Sequence, residues 1–238
     1  MLYQSYTSQE NHLVAVDCVI FGYEEEELKL LLFQRQLEPE IGKWSLVGGW
    51  LNKNESAETA AVRVLTKTTG LNNIFMEQVQ VFSKPERDPG GRVISIVFYA
   101  LIDIKKYDKS RIDKYGASWF PVSKLPTLIF DHNDMFKLAL EKLQNKASYV
   151  LVGRDLLPNE FTITQLRKLY NSIFSQDFDP GNFRKKILSL HALEKLESKD
   201  YTESKKGAFF YLFKNEEDID VPIRIIKYEK STSLVSIN

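Results

Sequence analysis

The sequence predicts an α+β chain in two domains, a strand-rich one over residues 1–148 and a smaller one over residues 149–238. Three observations carry this prediction. The 238 residues exceed the commonest size of a single domain, roughly 100–150, and leave room for two modest ones. Strand-like runs mix with two helical patterns up to residue 146, and the order then switches to helix, helix, hairpin. Between the two regimes, residues 154–158 break the helical pattern and read as a linker.

Composition narrows the class. Hydrophobic residues make up 43% and charged residues 27%, which excludes a disordered or fibrous chain. Lys+Arg and Asp+Glu number 32 each, nearly balanced in both parts, so a nucleic-acid footprint has to be a local patch. The apolar runs are short, so no membrane span is expected. The polar first ten residues carry no secretory pattern. A lone cysteine, Cys18, excludes an internal disulfide and a cysteine-based zinc site. A cytoplasmic location is the expectation.

Residues 12–23 and 28–34 are β-rich apolar runs around an acidic turn at 24–27. Gly48, Gly49 and residues 52–54 read as turn chemistry. A helix is expected from Ser56 to Thr68, because Ala60, Ala61, Val64 and Leu65 recur at helical spacing and Gly70 is placed to end it. Strands follow at 78–83 and 92–103, joined by a polar turn, with a short one at 117–120. Residues 131–146 form an amphipathic helix with Phe136, Ala139, Leu140 and Leu143 on one face.

In the second domain Thr162 and Gln165 fit a capping box. The helix that it opens carries Leu166, Leu169, Tyr170 and Ile173 on one face. Asp179 and Pro180 mark a second start, an acidic N-cap followed by proline in the first turn. Phe183, Ile187 and Leu190 form the buried face of that helix. Residues 196–213 read as a hairpin with a polar tip at 198–207, and a strand-like stretch follows at 221–228. Two helices, a short turn and a hairpin make a winged helix.

Asn182, Arg184, Lys185, Lys186 and Ser189 fall between the buried positions of the second helix and face outward, and Lys199, Lys205 and Lys206 add charge to the wing. In helix-turn-helix docking the start of that helix enters the major groove. Double-stranded DNA is the expected partner, with Asn182, Arg184, Lys185, Lys186, Lys205 and Lys206 as its contacts. Arg184 suits guanine, and the lysines suit phosphates.

Gly49, Glu55, Arg63, Gly70 and Leu71 stand at the spacing of a further motif, the Nudix box. The Leu-Val-Gly-Gly run at 46–49, the segment 84–89 and the Phe-Asp-His run at 130–132 extend the likeness. Residues 10–146 thus resemble the Nudix family, which implies an α/β/α sandwich around a mixed sheet. In Nudix hydrolases the box carboxylates hold Mg²⁺, which neutralises a diphosphate and activates water. Here those positions are Val64, Lys67 and Thr68. No catalytic residue, metal or cofactor is therefore expected, and Glu55 is expected to brace the loop against Arg63.

What remains is a cleft for binding without cutting, with Arg35, Trp44, Leu46, Arg87 and Asp88 as candidate lining. Arg35 suits a phosphate or hydroxyl, and Trp44 a base or sugar face. Core packing is the alternative for Trp44, and a solvated ion pair is the alternative for Arg87 and Asp88. His12, His132 and His191 show no metal-ligand spacing.

Residues 156–158, 161–166, Tyr170 and 182–186 resemble the C-terminal winged helix of the Nudix-related transcriptional regulators, so the likeness covers about residues 10–213. The resemblance implies a ligand-responsive repressor, a homodimer on a palindromic DNA operator, with the Nudix-like domain as its sensor. The effector it implies is an ADP-ribose-type nucleotide or the sugar arabinose. The lack of metal to bridge a diphosphate tilts the reading toward the sugar. Two competing readings are a Nudix hydrolase of a nucleoside diphosphate derivative such as ADP-ribose, using Glu55 and Glu58, and an inactive module whose C-terminal domain binds protein.

Overall fold

The computed structural model describes residues 9–71, 74, 76–106, 114, 116–202, 205–214 and 225–226. It divides into two compact units, residues 1–24 with 28–139, and residues 25–27 with 140–238. The fold is α+β, as the sequence predicts.

The first unit is built on a six-stranded sheet, β1 (Leu13–Glu24), β2 (Glu27–Gln34), β3 (Trp44–Trp50), β4 (Met76–Phe82), β5 (Val93–Ile102) and β6 (Ala117–Pro121). The order across it is β4-β5-β1-β3-β2-β6. The β1–β5 pair is parallel and the others are antiparallel, so the sheet is mixed. Helix α1 (Ala57–Thr69) starts where Ser56 accepts a hydrogen bond from the Thr59 N–H. It ends at Gly70, whose φ of 78° is left-handed, a conformation that glycine adopts without a Cβ penalty.

Strand alternation assigns β1 to both faces of the sheet. Val16, Cys18 and Ile20 join Ala60, Ala61, Val64 and Leu65 of α1 in one buried cluster. Asp17 and Phe21 point the other way, where Phe21 packs 6.2 Å from Phe136 of helix α2 (His132–Tyr149). Burial pushes the Cys18 thiol far above its ordinary range, so it acts as a small core hydrophobe.

Gly48 and Gly49 are a correction to the sequence reading. They lie inside β3, not in a turn. A Cβ on Gly48 would strike Asp17 Oδ1 and come within 3.0 Å of the Val16 carbonyl, and one on Gly49 would come within 2.9 Å of Val64. Close approach on both faces of the sheet, not chain reversal, explains these two glycines.

The second unit contains the C-terminal half of α2, helix α3 (Ile163–Phe174), helix α4 (Pro180–Leu188), and the strands β7 (Phe161–Thr162), β8 (Leu193–Asp200) and β9 (Ala208–Phe213) in the order β7-β9-β8. Thr162 and Gln165 form the reciprocal capping box. Asp179 caps α4 by accepting from the Asn182 N–H at 2.8 Å. Phe183 meets Tyr170 at 5.4 Å and Phe178 at 6.0 Å, which fixes α4 against α3. Arg167 and Asn171 donate to Asp177, and Arg167 also donates to the Phe178 carbonyl, so the turn between the helices is tied down by side chains.

The hairpin begins at Leu193, three residues before the expected start, and Leu190 is half-buried beyond the end of α4. Apart from Ile225 and Ile226, the strand expected at 221–228 lies outside the described residues.

Candidate functional site

A cleft of about 390 Å³ opens in the first unit. Its floor is built by Ala15 and Asp17 of β1 with Leu46 and Gly48 of β3, and Arg35, Arg87, Phe130 and His132 stand around it. The floor belongs to the face of the sheet that carries Asp17, opposite the face that α1 covers. Val64, Lys67 and Thr68, the positions where a Nudix box places metal-binding carboxylates, are not among the residues lining it. Val64 is core, and Thr68 donates its hydroxyl to the Val64 carbonyl at 2.9 Å. Among the described residues no group of His, Cys, Asp and Glu stands where it could hold a metal ion.

Glu55 does brace the box. Its carboxylate accepts two bonds from Arg63, at 2.9 and 2.6 Å, and one from the Asn52 N–H at 2.8 Å. Arg63 also donates to the Trp50 carbonyl at 2.9 Å. The Arg63 bond holds the Glu55 carboxyl down to about 2, helped by the Asn52 N–H. These bonds tie the carboxylate to the loop and keep it ionised.

Arg35, Leu46, Arg87 and Asp88 come together around the cleft. Arg35 donates to the carbonyls of Leu37 at 2.9 Å and Pro39 at 2.6 Å and lies 5.2 Å from the centre of the Phe130 ring. These partners orient its charge without cancelling it. Arg87 is different. It makes a bidentate pair with Asp131, at 2.9 and 2.7 Å, not with Asp88. The reason is geometric: the Asp88 carboxylate turns back to accept from the Gly90 N–H, while Asp131 stands at the start of α2, where the fork of Arg87 reaches both of its oxygens.

Trp44 does not line the cleft. It stands at the first residue of β3 and packs edge-on against Phe120 of β6, with ring centres 4.7 Å apart, while the indole that lines the cleft is at the opposite end of β3. That indole is Trp50, 45% exposed at the rim. Sequence reasoning also missed Asp17, Phe130 and His132. One signal was available for Asp17, a carboxylate in the middle of an otherwise apolar strand. Nothing local marks Trp50.

His132 Nδ1 accepts from the Leu46 N–H at 3.1 Å, so its proton sits on Nε2. Burial pushes the imidazole below its ordinary range, against the pull of Asp17 and Asp131. Asp17 itself is only 7% exposed. Its Oδ2 accepts a hydrogen bond from the Ser95 hydroxyl, and Oδ1 lies against Gly48.

In the second unit Asn182, Arg184 and Lys185 are exposed on α4, and Lys186 is half-buried. Arg184 reaches the Tyr211 hydroxyl of β9 at 3.4 Å. Lys205 and Lys206 are exposed at the hairpin tip. Lys195 and Lys199 lie over the Phe209 ring, at 3.6 and 4.4 Å, which keeps two further cations on the wing.

A mixed sheet with a box helix on one face and a cleft on the other, followed by a winged helix, defines a two-domain architecture with known relatives. The NUDIX domain family matches residues 11–139, and the NrtR DNA-binding winged helix domain matches residues 153–213. The chain belongs to the NUDIX family, in the form that joins this domain to an NrtR-type winged helix.

It is 27% identical over 222 residues to the "ADPR responsive transcriptional repressor NtrR" of Acinetobacter baylyi, covering 92% of this chain and 88% of that protein. It is 38% identical over 125 residues to an ADP-ribose pyrophosphatase of Methanocaldococcus jannaschii, covering 52% of this chain and 70% of the relative. The crystal structure of Shewanella oneidensis NrtR complexed with a 27mer DNA superposes with a TM-score of 0.75 at 28% identity, covering 84% of this chain and 93% of that one. A MutT/nudix family protein from Enterococcus faecalis gives 0.71 at 26% identity, over 89% and 90% of the two chains. Among the described residues no helix is long and apolar enough to cross a membrane.

Proposed function

We propose that this chain is an effector-responsive DNA-binding repressor. In this reading residues 149–238 bind a double-stranded operator as part of a homodimer, and the cleft in residues 1–148 binds a small molecule without hydrolysing it. One observation carries it: the cleft persists on one face of the sheet while the metal positions of the box, on the other, are Val64, Lys67 and Thr68. A divalent ion needs several oxygen ligands, and hydrolysis of a diphosphate needs the ion.

ADP-ribose is the first candidate effector, supported by the relatives that sense or cleave it. Arabinose is the second, favoured by the charge balance of the cleft. Arg87 is already neutralised by Asp131, while Asp17 and Asp88 are present, which suits an uncharged sugar better than a metal-free diphosphate.

The test has two arms. Full-length protein is incubated with a genomic DNA library at several salt concentrations, with and without ADP-ribose or arabinose. The expected result is selection of a palindromic site with half-sites one or a few helical turns apart, and a shift in its affinity with one effector. Separately, ADP-ribose is incubated with the protein and millimolar Mg²⁺, and no AMP is expected. Absence of any selected sequence refutes the regulator reading. AMP formation near the usual enzyme range of about 1 per second or faster refutes the non-hydrolytic one.

A further inference from the structure

Three arginines of this chain, Arg63, Arg87 and Arg167, face carboxylates, those of Glu55, Asp131 and Asp177. Arg184, exposed on α4, is held differently. Among the described residues its hydrogen-bond partner is the Tyr211 hydroxyl, 3.4 Å from Nη2. A phenol is neutral, so this contact directs the guanidinium and leaves its charge whole.

The group that Arg184 leans on is fixed. Tyr211 is 2% exposed. It lies on β9, the middle strand of the second sheet, and pairs with Phe161 of β7 on one side and Lys195 of β8 on the other. A residue laddered on both sides cannot slide along its strand, so the sheet sets where the hydroxyl stands. The surroundings also keep Arg184 out of an ion pair. Phe209, two residues before Tyr211, shares its face of the hairpin, and Lys195 and Lys199 lie over the Phe209 ring. Glu194 and Asp200, paired with Leu212 and Ala208, fall on the other face. A carboxylate on the Tyr211 face would capture Arg184 as Asp131 captures Arg87.

We infer that Tyr211 is a positioning residue for DNA recognition: its hydroxyl holds the Arg184 guanidinium where α4 presents it, so that the fork meets a base edge already aligned. The inference rests on the DNA-binding reading above. A guanidinium has N–H donors to spare after one rests on Tyr211, and guanine offers O6 and N7 to a pair of them. An arginine ordered before binding loses less freedom on binding. The benefit falls on the one base that needs its direction.

Tyr211→Phe removes the hydroxyl and keeps the buried ring. Full-length wild type, Tyr211→Phe, Arg184→Ala and the double variant are titrated with the operator selected from genomic DNA, with its single-base variants and with unrelated duplex, at several salt concentrations. Tyr211→Phe is expected to lose about fivefold in operator affinity, with discrimination relaxed at the same base pair of each half-site as in Arg184→Ala. Affinity for unrelated duplex and the salt slope are expected to stay at the wild-type values, since no charge is removed. In the Arg184→Ala background Tyr211→Phe is expected to cost nothing further. In the free wild-type chain, NMR relaxation of the Arg184 Nε–H, assigned by its absence from Arg184→Ala, is expected to show a group as ordered as the Nε–H of Arg63, which Glu55 holds. If Tyr211→Phe fails to fold by circular dichroism, this measurement decides by itself.

Unchanged discrimination in Tyr211→Phe overturns the inference and leaves the DNA-binding reading standing. So does a loss that persists in the Arg184→Ala background, a uniform loss over all sequences, or an Arg184 Nε–H more mobile than that of Arg63. Full discrimination in Arg184→Ala also overturns the inference alone. If wild type selects no operator, both fall together.

Discussion

Replacing Asp131 by alanine tests the wall of the cleft. The side chains of Arg87 and Asp131 are 3% and 19% exposed, so the small value of a surface ion pair does not apply. Removing Asp131 deletes two charge-assisted bonds, at 2.9 and 2.7 Å, and strands a guanidinium in the wall. Breaking a buried pair from one side costs about 3–5 kcal/mol. The residual exposure of Asp131 admits water, which places the expected loss near the lower end, about 3 kcal/mol.

The three tryptophans, Trp44, Trp50 and Trp119, all lie in the first unit, so tryptophan fluorescence reports its unfolding separately from the winged helix. With a urea slope of about 2 kcal/mol per molar, the midpoint of Asp131→Ala is expected to fall by about 1.5 M. The double variant Arg87→Met, Asp131→Leu should recover most of the loss, because no unpaired charge is left behind. A loss below about 1 kcal/mol in the single variant would refute the claim that the pair is buried and structural.

Gly48→Ala is expected to cost about 1–3 kcal/mol in the same fluorescence assay and to weaken effector binding, since its Cβ meets Asp17 Oδ1 and the Val16 carbonyl. Glu55 predicts a pH signature: its folded carboxyl is held at about 2, below the ordinary 4.5. The stability that it adds over Glu55→Gln is therefore fully present above pH 4.5 and disappears as pH falls through 2, which urea titrations across that window will show. For operator binding, Arg184→Ala should cost about 1–3 kcal/mol and relax specificity at one position of each half-site. Lys186→Ala should weaken all sequences alike and reduce the salt slope by about one. Both are read from binding isotherms at several salt concentrations.

Elements whose signals are local were legible in the sequence. Ser56 and Gly70 bound α1 because an N-cap acceptor and a left-handed C-cap act within a single turn. Thr162 with Gln165 and Asp179 with Pro180 set the starts of α3 and α4 for the same reason. The loss of three carboxylates at Val64, Lys67 and Thr68, and the brace from Arg63 to Glu55, followed from spacing along one helix and the loop before it. Tertiary packing decided the rest. Gly48 and Gly49 read as a turn because sequence carries their small size but not the neighbours that require it, Asp17 on one face and Val64 on the other. Arg87 chose Asp131, 44 positions away, over the adjacent Asp88, because a bidentate fork needs both oxygens at once. Trp50 took the place expected of Trp44, and Asp17, Ser95 and His132 met from three separate segments. A cleft is a property of strand order, and strand order is set by contacts between residues far apart in the chain, which no local pattern of side chains encodes.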